Sequence, residues 1–457
     1  MTTDAISLWQ QGQLLELDIT DLSDRGDGVG HYDGRAVFVP DTAPGDRAQV
    51  RLVRVKPTYG FGQLQTLQTP SLHRTQPHCI VADKCGGCQW QHLDYAQQQV
   101  AKRQQIIEAL QRIGSFTDPP VQPLLPTEQA LGYRNKATYP LGQSTTGQVQ
   151  AGYYRKGSHR LINLNQCPVQ DPHLDPLLAG VKQDLQAQGW SIYDERTQRG
   201  CLRHLSLRIG RRSGEKLLTL VTTDWDLPGI DAQAQQWLQA YPGLVGISLN
   251  RNRDRTNRIF GSETRCIAGQ PYLTEQFAGL TVQIRPQTFF QIYTEQAEAL
   301  VNYLLDYLQL RGDEQIVDAY CGIGTLTLPL AQHCRQILGL EVQAASVTQA
   351  QQNAQLNGIG NAQFQVGPVA RLLTTLPFQP DIMVLDPPRK GCDAAMLTTL
   401  RAIAPARLIY MSCKPSTLAR DLKVLCHEGQ YQLTHVQPAD FFPQTPHVEC
   451  LAFLNHT

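Results

Sequence analysis

Residues 315–341, QIVDAYCGIGTLTLPLAQHCRQILGLE, decide the fold of the C-terminal part of the chain. Two short apolar runs, QIVDA and QILGLE, flank a segment that contains two glycines and a helical apolar pattern. A buried strand, a glycine turn, a helix and a second buried strand are typical of a βαβ unit with parallel strands. The same alternation continues to the C-terminus, so the sequence predicts a doubly wound α/β domain with a parallel sheet over residues 285–457.

Two further regions precede this domain. Residues 1–68 contain about five short alternating runs with glycine-rich turns, a pattern that favours a small β-barrel of the OB or SH3 kind. Residues 69–284 combine a long helical stretch with strand-like runs such as LRHLSLRIG and KLLTLVTT, which indicates an α+β domain. We therefore predict three domains, 1–68, 69–284 and 285–457, as the length of 457 residues also suggests.

Composition excludes several classes of protein. Hydrophobic residues make up 41% of the chain and charged residues 18%, as in a globular protein. Lys+Arg and Asp+Glu are both 40, so the chain is not uniformly polycationic, although residues 71–170 hold ten basic and five acidic side chains. No apolar run approaches the roughly 18 residues of a membrane span, and no signal-peptide pattern is present. We expect a cytoplasmic protein without membrane contact, in which the 12 cysteines are thiols, metal ligands or nucleophiles.

The turn after the first strand, Asp318 to Thr325, has the features of a nucleoside site. Its glycines at 322 and 324 let the backbone turn sharply and approach a ligand closely. A third glycine at G-x-G-x-x-G spacing is absent, which weakens the case for a dinucleotide. Glu341 ends the next strand, where a carboxylate can accept hydrogen bonds from both hydroxyls of a ribose. The combination fits S-adenosylmethionine; the alternative is a strand–helix turn that merely needs glycine.

Two later strands end in side chains with catalytic potential. The strand DIMVL is followed by Asp386 in DPPR, and ARLIYM is followed by Cys413 in SCKP. Parallel strands would bring both to the cofactor edge, where Lys414 and the next helix N-terminus are expected to favour the thiolate. The ordinary alternatives are a helix-capping aspartate and a buried structural cysteine. Glu449, near the C-terminus, is a weak candidate by itself.

These groups suggest one reaction. Carbon 5 of uracil is too weak a nucleophile to attack a methyl sulfonium directly. Addition of a thiolate to carbon 6 makes an enolate, and carbon 5 then takes the methyl group. A base removes the proton from carbon 5, and the cysteine is eliminated.

Four cysteines form a candidate metal site. Cys79, Cys85 and Cys88 have the spacing C-x5-C-x2-C, and Cys167 is a plausible fourth ligand. Four thiolates suit an iron–sulfur cluster or a structural zinc, and the spacing does not choose between them. The pattern C-x3-C-x2-C is absent, which argues against radical methylation.

The chain resembles the RNA uracil-5-methyltransferases over nearly its whole length, and most closely the group that methylates 23S ribosomal RNA. DRGDGVGHYDGRAVFVPDTAPGD resembles a TRAM domain, an OB-like β-barrel that binds RNA. The cysteine spacing resembles the [4Fe-4S] ligand set of the family. RPQTFFQ, DAYCGIGTLTLPLA, LDPPRKG, SCKPSTLARD and HVECLAFL resemble the motifs of its Rossmann-like methyltransferase domain, in the family's order.

The resemblance implies a role for each matching residue. Cys413 would be the nucleophile, Glu449 the general base, and Asp386 would lie between cofactor and target base. The S-adenosylmethionine site would be lined by Gln291, Tyr320, Thr325 and Glu341. We expect a monomer whose partner is RNA and whose cluster positions RNA rather than taking part in the chemistry.

Three functions are compatible with these patterns. The first is 5-methyluridine formation in 23S ribosomal RNA. The second is the same chemistry on another RNA or base, such as a tRNA uridine or a cytosine. The third is a catalytically inactive RNA-binding iron–sulfur protein, which the presence of both Cys413 and Glu449 disfavours.

Overall fold

The computed structural model describes residues 9–127, 129–427 and 430–457. They divide into two compact units. The first comprises residues 9–105 with Tyr154–Ser158 and Phe442–His447, and the second comprises the described parts of Ile106–Tyr153, His159–Phe441 and Val448–Thr457. Among the described helices, none combines the length and apolar character that a bilayer span requires.

A closed five-stranded barrel forms the core of the first unit, which confirms the predicted N-terminal barrel. Its strands are β1 (Leu14–Leu22), β2 (Gly28–Tyr32), β3 (Arg35–Val39), β4 (Arg47–Val55) and β5 (Tyr59–Thr69). They follow the order β1-β2-β3-β5-β4 around the barrel, and β4 closes on β1. From Leu15 to Ile19 every second residue of β1 points inward, because successive side chains of a strand alternate between its faces. Leu15, Leu17 and Ile19 therefore fill the interior.

Helices α1 to α3 and a seven-stranded sheet follow the barrel in the chain. The helices are α1 (Tyr95–Arg112), α2 (Asp175–Gln188) and α3 (Ile230–Ala240). The strands are β6 (Lys136–Gln143), β7 (Val149–Tyr154), β8 (Leu161–Asn163), β9 (Leu202–Ile209), β10 (Lys216–Thr222), β11 (Leu244–Arg251) and β12 (Glu263–Gly269). Their order is β12-β11-β10-β9-β6-β7-β8. One face of this sheet packs on α2 and α3 through leucines, alanines and Trp237, as expected for an α+β arrangement.

The C-terminal region is a second seven-stranded sheet, preceded by the hairpin β13 (Leu273–Phe277) and β14 (Leu280–Ile284). Its strands are β15 (Gln315–Ala319), β16 (Gln336–Glu341), β17 (Ala362–Val366), β18 (Ile382–Leu385), β19 (Arg407–Ser412), β20 (Tyr431–Ala439) and β21 (Glu449–His456). Its helices are α4 (Thr294–Leu308), α5 (Thr327–Ala331), α6 (Ala344–Leu356), α7 (Val369–Leu372), α8 (Ala394–Ile403) and α9 (Pro415–His427).

The order of this sheet is β17-β16-β15-β18-β19-β21-β20. The first five strands are parallel, which confirms the doubly wound pattern. The chain reverses direction of winding beside β15, and ligands bind at such a switch point near the carboxyl ends of the strands. The predicted parallel pairing does not extend to the end of the chain, because β21 runs antiparallel to both β19 and β20.

Candidate active site

The loop after β15 contains three residues with positive φ angles, a conformation that most residue types rarely adopt. Tyr320, Gly322 and Gly324 have φ angles of 70°, 56° and 89°. The left-handed conformation is strained for tyrosine, and such strain is typical of functional loops. A Cβ on Gly324 would lie 2.9 Å from Leu328, whereas no described atom lies within 4 Å of a Cβ built on Gly322. The loop is therefore closed on its helix side and leaves room for a ligand at Gly322.

Glu341 lies at the end of the neighbouring strand and ties this loop to the sheet. Its carboxylate accepts a hydrogen bond from the backbone N–H of Gly322 at 3.2 Å and from that of Gln343 at 2.8 Å. The side chain is 8% exposed. Each oxygen keeps a second lone pair, so the carboxylate can hold the loop and still accept hydrogen bonds from a ligand.

A second carboxylate beneath the loop is buried. Asp318 accepts a hydrogen bond from the hydroxyl of Thr327 at 2.5 Å, and its other oxygen, Oδ1, has no partner among the described residues. Burial, together with the charge of Glu341, raises the pKa of Asp318 to about 7. A nearby positive charge, or a hydrogen-bond donor at Oδ1, would therefore stabilise the ionised form of Asp318.

Cys413 and Glu449 are brought together by the antiparallel pairing of β19 and β21. Ser412 is paired with Cys450, and the thiol of Cys450 contacts the carbonyl oxygen of Ser412 at 3.7 Å. One step further along this register Cys413 stands opposite Glu449. Glu449 is 5% exposed, while Cys413 is half-buried and thus accessible from the carboxyl edge.

Asp386 follows β18, the strand between the Cys413 strand and the glycine loop. Its backbone N–H donates to the carbonyl oxygen of Ala319 at 3.2 Å, so it lies at the level of Tyr320. Burial, with the charges of Asp318 and Glu341, raises the pKa of Asp386 to about 7. The carboxyl ends of four adjacent strands therefore present acids and a thiol along one edge.

The electrostatic environment of Cys413 differs from the prediction. Burial raises the pKa of its thiol to about 11, and the charges of Glu449 and Asp386 act in the same direction. Arg389 opposes them and is the cation with the largest effect on this pKa, whereas the sequence had pointed to Lys414. Sequence adjacency was a poor guide, because side chains facing a group from neighbouring strands affect it more than the next residue does.

The same surroundings also shift the pKa of Glu449. Burial raises its pKa well above the usual range for a carboxyl, and Asp386 adds to this effect while Arg389 opposes it. Arg389 is therefore a site residue that the sequence prediction missed as a functional group, although it was quoted within DPPR. Asp318 is the second site residue that the sequence prediction missed as a functional group. Its position near the end of a buried strand could have indicated it, but only the structure shows that its Oδ1 has no partner among the described residues.

The remaining predicted cofactor residues lie on two segments of the second unit. Gln291 precedes α4, is 9% exposed, and its carbonyl oxygen accepts a hydrogen bond from the side-chain amide of Asn135 at 2.8 Å. Thr325 follows Gly324 on the loop after β15 and is half-buried. The structure thus places Thr325 on the loop after β15 and Gln291 on the segment that leads into α4.

The raised pKa of Cys413 predicts a pH-dependent reactivity. The alkylation rate of this thiol by iodoacetamide is expected to keep rising as the pH approaches 11, because only the thiolate reacts. Removing a negative neighbour by Glu449→Gln should lower the pKa and raise the rate at about pH 10. Peptide-resolved mass spectrometry separates Cys413 from the other cysteines. Glu263→Gln, an exposed glutamate, is the control, and equal rates in both variants would contradict the electrostatic account.

The four predicted metal ligands are divided between the two units. Cys79, Cys85 and Cys88 belong to the first unit and Cys167 to the second. Within the described ranges, no group of three or more His, Cys, Asp or Glu side chains is arranged to hold a metal ion. The Cys85 thiol accepts a hydrogen bond from the backbone N–H of Gly87 at 3.4 Å, and burial raises its pKa.

Comparison with known proteins gives family matches at both ends of the chain. Residues 261–457 match the model of the tRNA (uracil-5-)-methyltransferases, and residues 8–65 match that of the TRAM domain. An uncharacterized RNA methyltransferase of Nostoc sp. is 63% identical over 448 residues, which are 98% of this chain and 97% of the relative. One of Synechocystis sp. is 56% identical over 447 residues, 98% and 96% of the two chains.

One solved structure is similar over almost the entire length. It is a tRNA (uracil-54, C5)-methyltransferase of Pyrococcus abyssi in complex with S-adenosyl-L-homocysteine. The TM-score is 0.78 and the sequence identity 27%, with 96% of this chain and 99% of that chain covered. The similarity therefore includes both the barrel and the sheet whose carboxyl edge carries the candidate site.

Proposed function

Because the chain belongs to the RNA uracil-5-methyltransferase family, a family of enzymes that use S-adenosylmethionine, we propose that it methylates carbon 5 of one uridine in 23S ribosomal RNA. The reaction proceeds through a covalent bond between Cys413 and carbon 6 of the uracil. The barrel and central region (1–68 and 69–284) bind RNA, and residues 285–457 carry the chemistry. The enzyme acts as a monomer in the cytoplasm.

The observation that carries this proposal is the register that sets Cys413 opposite Glu449 at the edge that also presents Asp386 and the glycine loop. The thiolate of Cys413 adds to carbon 6 of the uracil. Carbon 5 takes a methyl group as the S–CH3 bond of the donor breaks, and the donor sulfur keeps the electron pair and leaves as a neutral thioether. Glu449 then takes the proton from carbon 5, and elimination restores the thiolate. The support for these two roles is that Cys413 and Glu449 stand at the paired ends of adjacent strands.

The acidity of the site supports a cationic methyl donor. Asp318 and Asp386 both have pKa values raised to about 7, so a positive charge among them lowers those values and is itself stabilised. S-adenosylmethionine supplies the methyl group from a positively charged sulfonium. The same charge favours the thiolate of Cys413, which burial disfavours in the free enzyme.

We predict that Glu341 holds the ribose of the methyl donor. Glu341→Ala should weaken donor binding by about 1.5–3 kcal/mol, the loss expected for hydrogen bonds to a charged group. Titration calorimetry measures this change. Glu314→Ala is a matched control, because Glu314 is also buried and accepts hydrogen bonds from backbone N–H groups, but it precedes β15 at the opposite edge. Unchanged affinity in Glu341→Ala would contradict the assignment.

The RNA substrate is tested directly by methyl transfer. Incubation with labelled S-adenosylmethionine and, in parallel, 23S ribosomal RNA and tRNA from a strain lacking the enzyme should label 23S RNA. Nuclease digestion and mass analysis then identify 5-methyluridine and its position. Label in tRNA alone would replace the ribosomal assignment, and the P. abyssi tRNA enzyme, similar over 96% of this chain, makes tRNA the second candidate. Absence of 5-methyluridine in both would leave an inactive RNA-binding protein.

We extend the proposal to a [4Fe-4S] cluster held by Cys79, Cys85, Cys88 and Cys167. The support is the donor set of four thiols and the N–H of Gly87 directed at the Cys85 sulfur. A bound metal cation offsets the burial that raises the pKa of this thiol, because the thiolate is the ligand form. Methyl transfer to an enolate involves no net electron transfer, so the cluster has a structural and RNA-positioning role.

Anaerobic purification tests the metal. We expect brown protein with iron and sulfide in equal amounts, and loss of both in Cys85→Ala together with lower stability. Affinity for S-adenosylmethionine should stay nearly unchanged. Cys201→Ala, a half-buried cysteine outside the spacing motif, is the control. Colourless protein with one zinc would exclude the cluster but keep the ligands, and metal-free protein would exclude both.

A further inference from the structure

The central sheet has one polar face that the proposed chemistry does not use. Leu205, Leu207, Leu218 and Leu220 point to the face that packs on α2 and α3. The opposite face carries Thr138 and Ser206, whose hydroxyls are 2.9 Å apart, and next to them Lys136 and Arg208, which are paired across β6 and β9. Two cations thus stand side by side in the middle of a sheet.

Arg208 is buried without a carboxylate partner. It is 3% exposed, and one of its nitrogens, Nη2, donates to the carbonyl oxygen of Thr288 at 3.1 Å. Its Nε and Nη1 are buried and have no hydrogen-bond partner among the described residues. Burial lowers the pKa of its guanidinium to about 10. A buried charge with unsatisfied donors lowers the stability of the fold unless an anion accepts its hydrogen bonds.

Lys136, its neighbour across the two strands, is bound by a carbonyl oxygen and an aromatic ring. Its ammonium donates to the carbonyl oxygen of Pro286 at 3.3 Å and lies 4.8 Å from the ring centroid of Phe260. Burial lowers its pKa well below the usual range, and the charge of Arg208 adds to this effect. Lys182, also on this unit, shows how a buried lysine is otherwise satisfied: it donates to Asn163, Asn165 and the carbonyl of Leu164 at 2.6–2.9 Å.

Both cations touch the segment that leads into the candidate active site. Pro286 and Thr288 precede Gln291 by five and three residues. Phe289 is 62% exposed, so this segment lies at the surface and a large ligand can reach it. The carbonyl that accepts the Arg208 hydrogen bond therefore belongs to the residue that precedes an exposed phenylalanine.

We propose that Lys136 and Arg208 form an anion site that binds an RNA phosphate close to the target nucleotide. This inference rests on the proposed function, since RNA supplies the phosphate. Phosphate oxygens accept hydrogen bonds from ammonium and guanidinium groups, and a fixed phosphate positions the chain without reading its sequence. The site keeps two cations together at a cost in stability that the bound phosphate offsets.

The test compares RNA affinity with stability in Lys136→Gln. Binding of a fluorescein-labelled RNA stem–loop is measured by anisotropy across a salt series. Loss of one phosphate contact should reduce the slope of log affinity against log salt by about 0.7–0.9, which is roughly a fivefold loss at 0.15 M salt. The melting temperature should be no lower than that of the wild type, because an unpaired buried charge is removed. Lys136→Arg should keep the wild-type slope.

Lys182→Gln is the matched control. It should lower the melting temperature, since three satisfied hydrogen bonds are lost, and leave the salt slope unchanged. A Lys136→Gln protein that keeps the wild-type slope, or that is less stable or unfolded, overturns the anion site and indicates a structural role. The proposed function is judged separately, by formation of 5-methyluridine with the wild-type enzyme.

Discussion

Replacing Cys413 by serine is expected to lower methyl transfer on the order of 10⁴-fold or more, the largest effect of any single change in this protein. A serine hydroxyl is far harder to ionise than a thiol and is a much weaker nucleophile towards carbon 6 of uracil. The two side chains are close in size, and Cys413 is half-buried, so the fold and donor affinity should be preserved. Initial rates with labelled donor at saturating RNA measure the loss.

Cys426→Ser is a matched control for this change. Cys426 is also half-buried, and burial raises its pKa to about 11 as well, but it lies on α9 rather than at a strand end. A normal rate in this variant would show that position, not thiol character, sets the effect. A normal rate in Cys413→Ser would remove Cys413 from the mechanism.

RNA with 5-fluorouridine at the target position should trap the covalent bond between the Cys413 sulfur and carbon 6 of the uracil. Fluorine at carbon 5 cannot leave as a proton, so elimination of the cysteine is blocked and a stable protein–RNA complex is expected. Denaturing electrophoresis detects it, and Cys413→Ser should abolish it while Cys426→Ser should not.

Glu449→Gln should give a different defect. Without a base for the proton on carbon 5, turnover is expected to fall by about 10²–10⁴-fold, the usual contribution of general base catalysis. The thiolate can still add and carbon 5 can still be methylated, so a covalent complex should accumulate even on RNA without fluorine. Quench-flow followed by denaturing electrophoresis measures its formation and decay.

The control for this change is Glu275→Gln. Glu275 is also a buried glutamate whose pKa burial raises, but its carboxylate accepts hydrogen bonds from the backbone N–H groups of Arg211 and Arg212 on the central region. It should alter stability and leave the decay of the complex unchanged. Full turnover of Glu449→Gln would assign the proton to another base, and Asp386 would then be examined first.

The sequence by itself determined the strands and their local connections. QIVDA, QILGLE and AQFQV are strands at the positions where their apolar patterns predict them, and five short strands close into the N-terminal barrel. These features depend on neighbours in the chain, since side-chain alternation and glycine turns are local properties. The edge at which Asp386 and Cys413 appear follows from parallel pairing, which the alternation also predicts.

The tertiary structure alone decided how the last strand completes the site. β21 inserts between β19 and β20 and runs antiparallel, so Glu449 faces Cys413 although 36 residues separate them. No local pattern encodes this register. The same applies to charge: the pKa of Cys413 is raised because burial and Glu449 outweigh Arg389, and Arg389 rather than the adjacent Lys414 is the cation with the largest effect. A pKa depends on what surrounds a group in space, and the chain order does not contain that information.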